Sequence, residues 1–264
     1  MPKIKPQKGP QYQFLNASAD IVIYGGAAGG GKTWALLMEC LRHRNVPGFS
    51  AVIFRRNSTQ VRNPGGLWDT SCELFVHAHG TPKQSTLEWD FQGNGKVKFA
   101  HLEHDKTRFD WQGSQIPLVG FDELTHFSWQ QFVYMLSRNR STCGVKPYIR
   151  ATTNPDTDSW VRQFISWWID EKSGYPIPSR SGKTRWFFIQ NDQTIWGSSR
   201  EELVEKDPSC LPKSVSFVAS TVHDNKILLE KDPGYLANLK ALPRFEREQL
   251  LMGNWNVRPT AGMF

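Results

Sequence analysis

The chain has 264 residues, 39% of them apolar, and a formal net charge of +7. That length and apolar content exclude a disordered chain and a mini-protein, and they admit one large domain or a domain carrying a small lid. The positive charge favours contact with a polyanion, although charge alone does not define a nucleic-acid binder. Cys40, Cys72, Cys143 and Cys210 lie far apart with no C-x-x-C pair. Their spacing argues against a disulfide framework or a Cys-rich zinc site and suits a reducing compartment. No apolar run approaches the ~20 residues of a membrane span, and the first eight residues lack the apolar core of a signal peptide. A soluble cytoplasmic protein without membrane contact is expected.

In chain order, residues 1–19 read as a loosely structured leading segment with a short anchor at Gln11–Leu15. The apolar run Ile21-Val22-Ile23-Tyr24 predicts a buried strand over 20–24. Directly after it, Gly26-Ala27-Ala28-Gly29-Gly30-Gly31-Lys32-Thr33 fits G-x-x-x-x-G-K-[ST], and a helix is predicted over 32–44. This strand–loop–helix order is the context a phosphate-binding loop requires. Its glycines let backbone N–H groups converge on phosphate oxygens, and the helix N-terminus adds partial positive charge. Lys32 is placed to reach the β- and γ-phosphates of ATP, and Thr33 to offer its hydroxyl to Mg²⁺. The bland alternative is a Gly-rich turn with no ligand.

Further strands are predicted at 51–55, 116–121 and 147–152, and helices at 66–79, 128–137 (Ser128 as N-cap) and 159–170. Thr86–Phe91 and Lys96–Ala100 alternate around Gly93-Asn94-Gly95, which predicts an antiparallel hairpin at the sheet edge. Alternating strands and helices imply an α/β fold with a largely parallel sheet. After a Gly/Pro/Ser-rich loop over 173–183, strands are predicted at 184–190 and near 214–219, then helices at 232–241 and 244–252. Residues 1–191 are accordingly expected to form the core. Residues 192–257 are expected to form a small helical lid, with 258–264 beginning a linker.

Hydrolysis needs a carboxylate for Mg²⁺ and a base for water. Asp122 and Glu123 supply both where the 116–121 strand ends, although an acidic pair can also simply cap a strand. Thr152-Thr153-Asn154-Pro155 ends the next strand; Asn154 can register the γ-phosphate there, or Asn-Pro can merely start a turn.

Together these segments resemble the ATPase region of the large terminase subunit of tailed bacteriophages, a P-loop motor that drives DNA into the capsid. The resemblance runs through Gln11–Leu15, Gly25–Thr33, Gln112-Gly113, Phe121–Leu124, Ser137–Arg140 and Thr152–Pro155. It continues in the tail through His223–Leu229, Asp232–Leu239, Leu242-Pro243 and Gly253-Asn254-Trp255. It implies a P-loop NTPase fold of the class with a catalytic Glu, here Glu123, on the strand beside the P-loop strand. It also implies coupling of hydrolysis to movement at Thr152–Asn154, and adenine contact at Gln11, with Gln13 as a rival. The partners it implies are double-stranded DNA, a homo-oligomeric ring (a pentamer by this resemblance), the capsid portal and the small terminase subunit, in the host cytoplasm.

Some terminases carry an Arg inside the P-loop, where this chain has Ala27-Ala28, or before the Gly at 113, where it has Gln112. Arg55, Arg56, Arg108, Arg138 and Arg140 are the candidates for an arginine acting on a neighbour's γ-phosphate, or for DNA contact. Arg62 and the Arg180-Lys183-Arg185 group are further basic clusters, with solvated surface as the plain alternative. Large terminases usually continue into a nuclease domain, and no such acidic cluster is present. Nuclease activity is therefore not expected here, and a truncated chain is one reading of where the sequence stops. Two other classes compete: a helicase or recombination ATPase, and a nucleotide-gated ring-assembly module without appreciable turnover.

Overall fold

Side-chain alternation along the central strands sets the two faces of the sheet. Ile21 and Ile23 point to one apolar cluster and Val22 and Tyr24 to another; Val52 and Phe54 are likewise separated from Ala51 and Ile53. In a computed structural model, residues 4–258 are described. All but the first residue of the expected linker at 258–264 therefore lies outside the described residues.

The strands are β1 (Ile21–Gly26), β2 (Ser50–Arg55), β3 (Thr81–Lys83), β4 (Glu88–Asp90), β5 (Lys96–His101), β6 (Leu118–Phe121), β7 (Tyr148–Thr153), β8 (Thr184–Gln190), β9 (Gln193–Gly197) and β10 (Lys213–Ser220). They form one ten-stranded sheet in the order β3-β4-β5-β2-β6-β7-β1-β10-β8-β9. The run from β5 to β10 in that order is parallel, and the pairs at each edge are antiparallel. The fold class is the expected one: α/β, with a mostly parallel sheet flanked by helices.

The helices are α1 (Pro10–Asn16), α2 (Lys32–Cys40), α3 (Ser58–Arg62), α4 (Leu67–Phe75), α5 (Trp129–Arg138), α6 (Trp160–Phe164), α7 (Arg200–Lys206), α8 (Lys226–Lys231), α9 (Gly234–Ala241) and α10 (Arg244–Glu246), the last running into a π-helical turn at Arg247–Leu251. Phe132 and Met135 of α5, with Val161 and Phe164 of α6, cover one face; Leu36 and Leu37 of α2, with Trp68, Leu74 and Phe75 of α4, cover the other. Each fully buried Phe contributes about 1.5–3 kcal/mol. α5 starts as predicted: the Ser128 hydroxyl accepts from Gln131 N–H, and Gln131 Oε1 accepts from Ser128 N–H, a complete capping box.

Several expectations are corrected. The helix predicted over 32–44 ends at Cys40 and breaks into turns leading to Pro47-Gly48. The helix predicted over 66–79 closes at Phe75 in a 3₁₀ turn, with His79 left-handed (φ 59°). The one predicted over 159–170 stops at Phe164, and a 3₁₀ turn at Ser166–Trp168 buries Trp168. The hairpin of β4 and β5, by contrast, lies at the sheet edge as expected, with β5 joined in parallel to β2. The boundary expected near 192 falls inside the sheet, because β10 pairs with β1 over six residues. The helices after Ser220 gather a separate small cluster around Val222, Leu239 and Leu251. The strand carrying Glu123 is not beside the P-loop strand: β7 lies between β6 and β1.

Asn139, just past α5, is buried, and its Nδ2 lies 2.9, 3.1 and 3.1 Å from the carbonyls of Ile116, Pro117 and Tyr148. It thereby fixes the starts of β6 and β7 side by side. Asn139→Ala leaves those carbonyls short of a donor and should lower unfolding stability by about 2 kcal/mol in urea titration.

Candidate active site

Parallel register brings four strand ends to one edge of the sheet. Gly25 pairs with Thr153, Phe121 with Ala151, and Phe54 with Phe121. The residues one step further on are Arg55, Asp122 and Asn154, with Glu123 next after Asp122, and the P-loop follows β1. In open α/β sheets such carboxyl ends are where ligands bind.

The P-loop leaves β1 at Gly26 (φ 126°), where a Cβ would strike the Ser220 carbonyl, and enters α2 through Gly31 (φ 73°). Both positions require glycine. Ala27 N–H donates to Ser220 O (3.0 Å) and Ala28 N–H to Leu250 O (2.6 Å). The N–H groups of Gly29, Gly30 and Gly31 have no partner among the described residues and border a cleft of about 1070 Å³ that Lys32 and Thr33 also line. Lys32 is buried, and its Nζ donates to Ala27 O at 2.6 Å and Gly26 O at 3.4 Å. Burial lowers its pKa, opposed by the charges of Glu123 and Asp122.

Asp122 is buried; its Oδ1 accepts from the Thr152 hydroxyl (2.6 Å) and its Oδ2 lies 3.1 Å from Arg55 Nε. The same Thr152 oxygen accepts from Glu123 N–H at 3.2 Å. Glu123 lies in the left-handed region (φ 62°, ψ 67°), a conformation costing about 1–2 kcal/mol for a residue with a Cβ. Its carboxylate accepts twice from Asn154, from Nδ2 at 3.0 Å and from N–H at 3.1 Å. Asn154 Oδ1 is buried without a partner. Glu123, Asn154, Lys32 and Thr33 thus share one cleft.

Gln11 is buried on the cleft wall. Its Nε2 donates to Gly31 O (3.0 Å) and its Oε1 accepts from Gln7 N–H (2.6 Å). Gln13 instead reaches Ser181 O at 3.3 Å, away from the cleft. Three supporting residues were missed in the sequence. Gln7 Nε2 donates to Asn225 Oδ1 (2.7 Å), Asn225 Nδ2 donates to Gly29 O (2.7 Å), and the Tyr24 hydroxyl donates to Gly30 O (2.8 Å). Only the four-residue spacing of Gln7 and Gln11 hinted at the first.

The five candidate arginines separate into two groups. Arg55 is turned inward onto Asp122, and Arg56 NH1 donates to Gln131 Oε1 (3.1 Å), so neither is presented outward. Arg108 lies over the Phe109 ring (4.6 Å) and Arg138 over Tyr134 (5.3 Å); these two rings touch edge to face. Arg140 donates to Ser114 O nearby on the same surface. Elsewhere, Trp168 and Trp255 are buried in the core, whereas half-buried Trp167 carries Arg180 (4.8 Å) and Arg185 (5.3 Å) on its ring.

The donor set fits a magnesium–nucleotide pair. It offers free loop N–H groups, a lysine, the Thr33 hydroxyl and one carboxylate, and the orphaned Asn154 oxygen marks a polar position still to be satisfied. Among the described residues no group of three His, Cys, Asp or Glu side chains could hold a metal alone.

The profile described as "Terminase large subunit, T4likevirus-type, N-terminal" matches residues 23–263. The chain belongs to this family of large terminase subunits. The resemblance read from its motifs is therefore correct. Among solved structures, the large terminase of a thermophilic bacteriophage is similar with a TM-score of 0.63 at 13% identity, covering 96% of this chain and 54% of that one. The same phage's large terminase in complex with ADP gives 0.60 at 13% identity, covering 94% and 53%. The large terminase ATPase domain of a Thermus phage gives 0.59 at 13% identity, covering 95% and 94%. Likeness at such identity shows the fold, and the chain spans about half the length of the first of these terminases. No curated protein matches the sequence.

The Thr152 hydroxyl joins the Asp122 carboxylate to the Glu123 backbone in this terminase site. Thr152→Val should lower stability by about 1–3 kcal/mol in urea unfolding, because Asp122 loses a donor and Glu123 N–H an acceptor. Thr152→Ser should restore most of it.

Proposed function

We propose that this terminase chain is an ATP-hydrolysing motor domain that moves double-stranded viral DNA into the procapsid. The observation carrying the reading is the clamped Glu123 carboxylate, which shares the P-loop cleft and is held by two hydrogen bonds from Asn154. A module that only bound nucleotide would not need a carboxylate so fixed.

The N–H groups of Gly29–Gly31 and the Lys32 ammonium bind the β- and γ-phosphates of ATP, with Lys32 leaving the Ala27 carbonyl to do so. Gln11 and Asn225 keep the loop carbonyls of Gly31 and Gly29 turned outward, on the side of the base. Thr33 and Asp122 would hold Mg²⁺, which when bound would neutralise phosphate charge. Glu123 takes the proton of the attacking water: its two hydrogen bonds leave lone pairs free on each oxygen. The buried, unpaired Asn154 Oδ1 is an acceptor beside that base, suited to orient the same water.

Asn154 also links the site to the helices that follow Ser220, which serve as the lid. Pro155 O accepts from Gln249 Nε2 (2.6 Å) on the π-helical turn, and the neighbouring Leu250 O accepts from the P-loop. Loss of the γ-phosphate, felt at Asn154, reaches the lid by this short path. Arg108, Arg138 and Arg140 form the outward surface that donates an arginine to a neighbour in a homo-oligomeric ring on the portal. Phosphate contacts to DNA come from such basic surfaces, since a translocating motor must accept any sequence. The small terminase subunit and the host cytoplasm complete the expected setting.

Phosphate release should rise faster than linearly with protein concentration and increase with duplex DNA. Glu123→Gln should keep ATP binding and lose at least about 10²-fold in turnover. Wild-type turnover in that variant would overturn the assignment; stronger activation by single strands than by duplex would favour a helicase.

A further inference from the structure

We infer that Arg55 is a built-in counter-cation for Asp122, occupying the metal-binding carboxylate until a metal–nucleotide pair displaces it. This rests on the ATPase reading above and assigns Arg55 a positioning role within the chain's own site.

Arg55 closes β2, and Asp122 follows β6. Because Phe54 and Phe121 are paired in parallel register, the next residue of each strand emerges side by side at the same edge. Arg55 Nε stands 3.1 Å from Asp122 Oδ2, while Thr152 takes Oδ1, so both carboxylate oxygens already have a partner within the chain. The Arg55 side chain is 21% exposed and that of Asp122 4%, so water screens the pair weakly.

The pair is nonetheless poorly made. Arginine and carboxylate favour a forked contact with two parallel N–H donors. Here one nitrogen faces one oxygen, at ion-pair distance but outside hydrogen-bond direction, and both Nε and NH1 are buried without a hydrogen-bond partner. Unmet N–H groups on a shielded cation are costly. The arrangement neutralises Asp122 without holding it firmly, as a displaceable partner must. A divalent ion arriving with nucleotide brings more charge to the carboxylate and repels the guanidinium. An ion arriving alone must expel Arg55 without phosphate oxygens to complete its shell. Arg55 thereby makes metal loading depend on nucleotide.

The test measures Mn²⁺ binding to the full chain by EPR, with and without ADP, in wild type, Arg55→Gln and Arg55→Lys. Without nucleotide, Arg55→Gln should bind Mn²⁺ about fivefold tighter, the scale of one partly shielded ion pair, and Arg55→Lys should stay near wild type. A purely structural role predicts weaker binding, or none gained. Unchanged or weaker Mn²⁺ affinity in an Arg55→Gln protein that still binds a fluorescent ADP analogue like wild type would overturn the inference. Failure of the wild type to bind that analogue, with no difference in Lys32→Ala, would instead overturn the ATPase reading itself. Should Arg55→Gln fail to fold, the wild type alone decides through its Arg55 Nε–H NMR signal. That signal should move when Mg²⁺ is added to the ADP-bound protein, and a signal that stays in place sinks the idea.

Discussion

Parallel register is the constraint on which everything else in this molecule depends. β2, β6, β7 and β1 run the same way and keep fixed partners, so their last residues reach one edge together. Nothing local to Asp122 or Asn154 would bring them near Thr33. Asn139 reinforces the constraint from the opposite end by gripping the carbonyls before β6 and at the start of β7. The edge that borders the cleft is in this sense assembled from below: slippage of one strand by a residue would turn its side chains to the wrong face.

Within that edge, the polar groups partner one another, except for Asn154 Oδ1 and the Nε and NH1 groups of Arg55. Thr152 serves the Asp122 carboxylate and the Glu123 N–H, Asn154 holds the Glu123 carboxylate, and Arg55 and Lys32 balance the charge. Glu123 accepts a left-handed backbone to face the cleft, and its bond to the Thr152 hydroxyl and those from Asn154 offset that strain. Strain of this kind persists where surrounding contacts over-determine it.

Much of this was legible in the sequence, for identifiable reasons. Short apolar runs marked β1, β2, β6 and β7, and Ser128 as N-cap marked α5. The P-loop spacing and the acidic pair located the site because their chemistry depends on local order. What escaped depended on distance along the chain. β10 joins β1 from almost two hundred residues away, which no local pattern reveals, so the segment after 192 read as a separate helical unit. β7 slots between β6 and β1 for the same reason. The inward turn of Arg55 and Arg56 also escaped, because an Arg-Arg pair after a strand looks like exposed positive charge until its partners Asp122 and Gln131 are known. The helices at 66–79 and 159–170 were overdrawn, since burying Phe75 and Trp168 took precedence over continuing the helix.

The Ala28–Leu250 hydrogen bond gives the π-helical turn a mechanical meaning. Ala28 belongs to the loop that would hold phosphate, and Leu250 to the last turn before Gly253, which packs against Ala27, and buried Trp255. The two ends are therefore tied in series, like springs under one load. Tension drawn along the backbone past Trp255 is delivered to the rim of the phosphate cradle with little intervening slack, and stiffening of that rim is passed outward by the same link. That link is one N–H and one carbonyl wide.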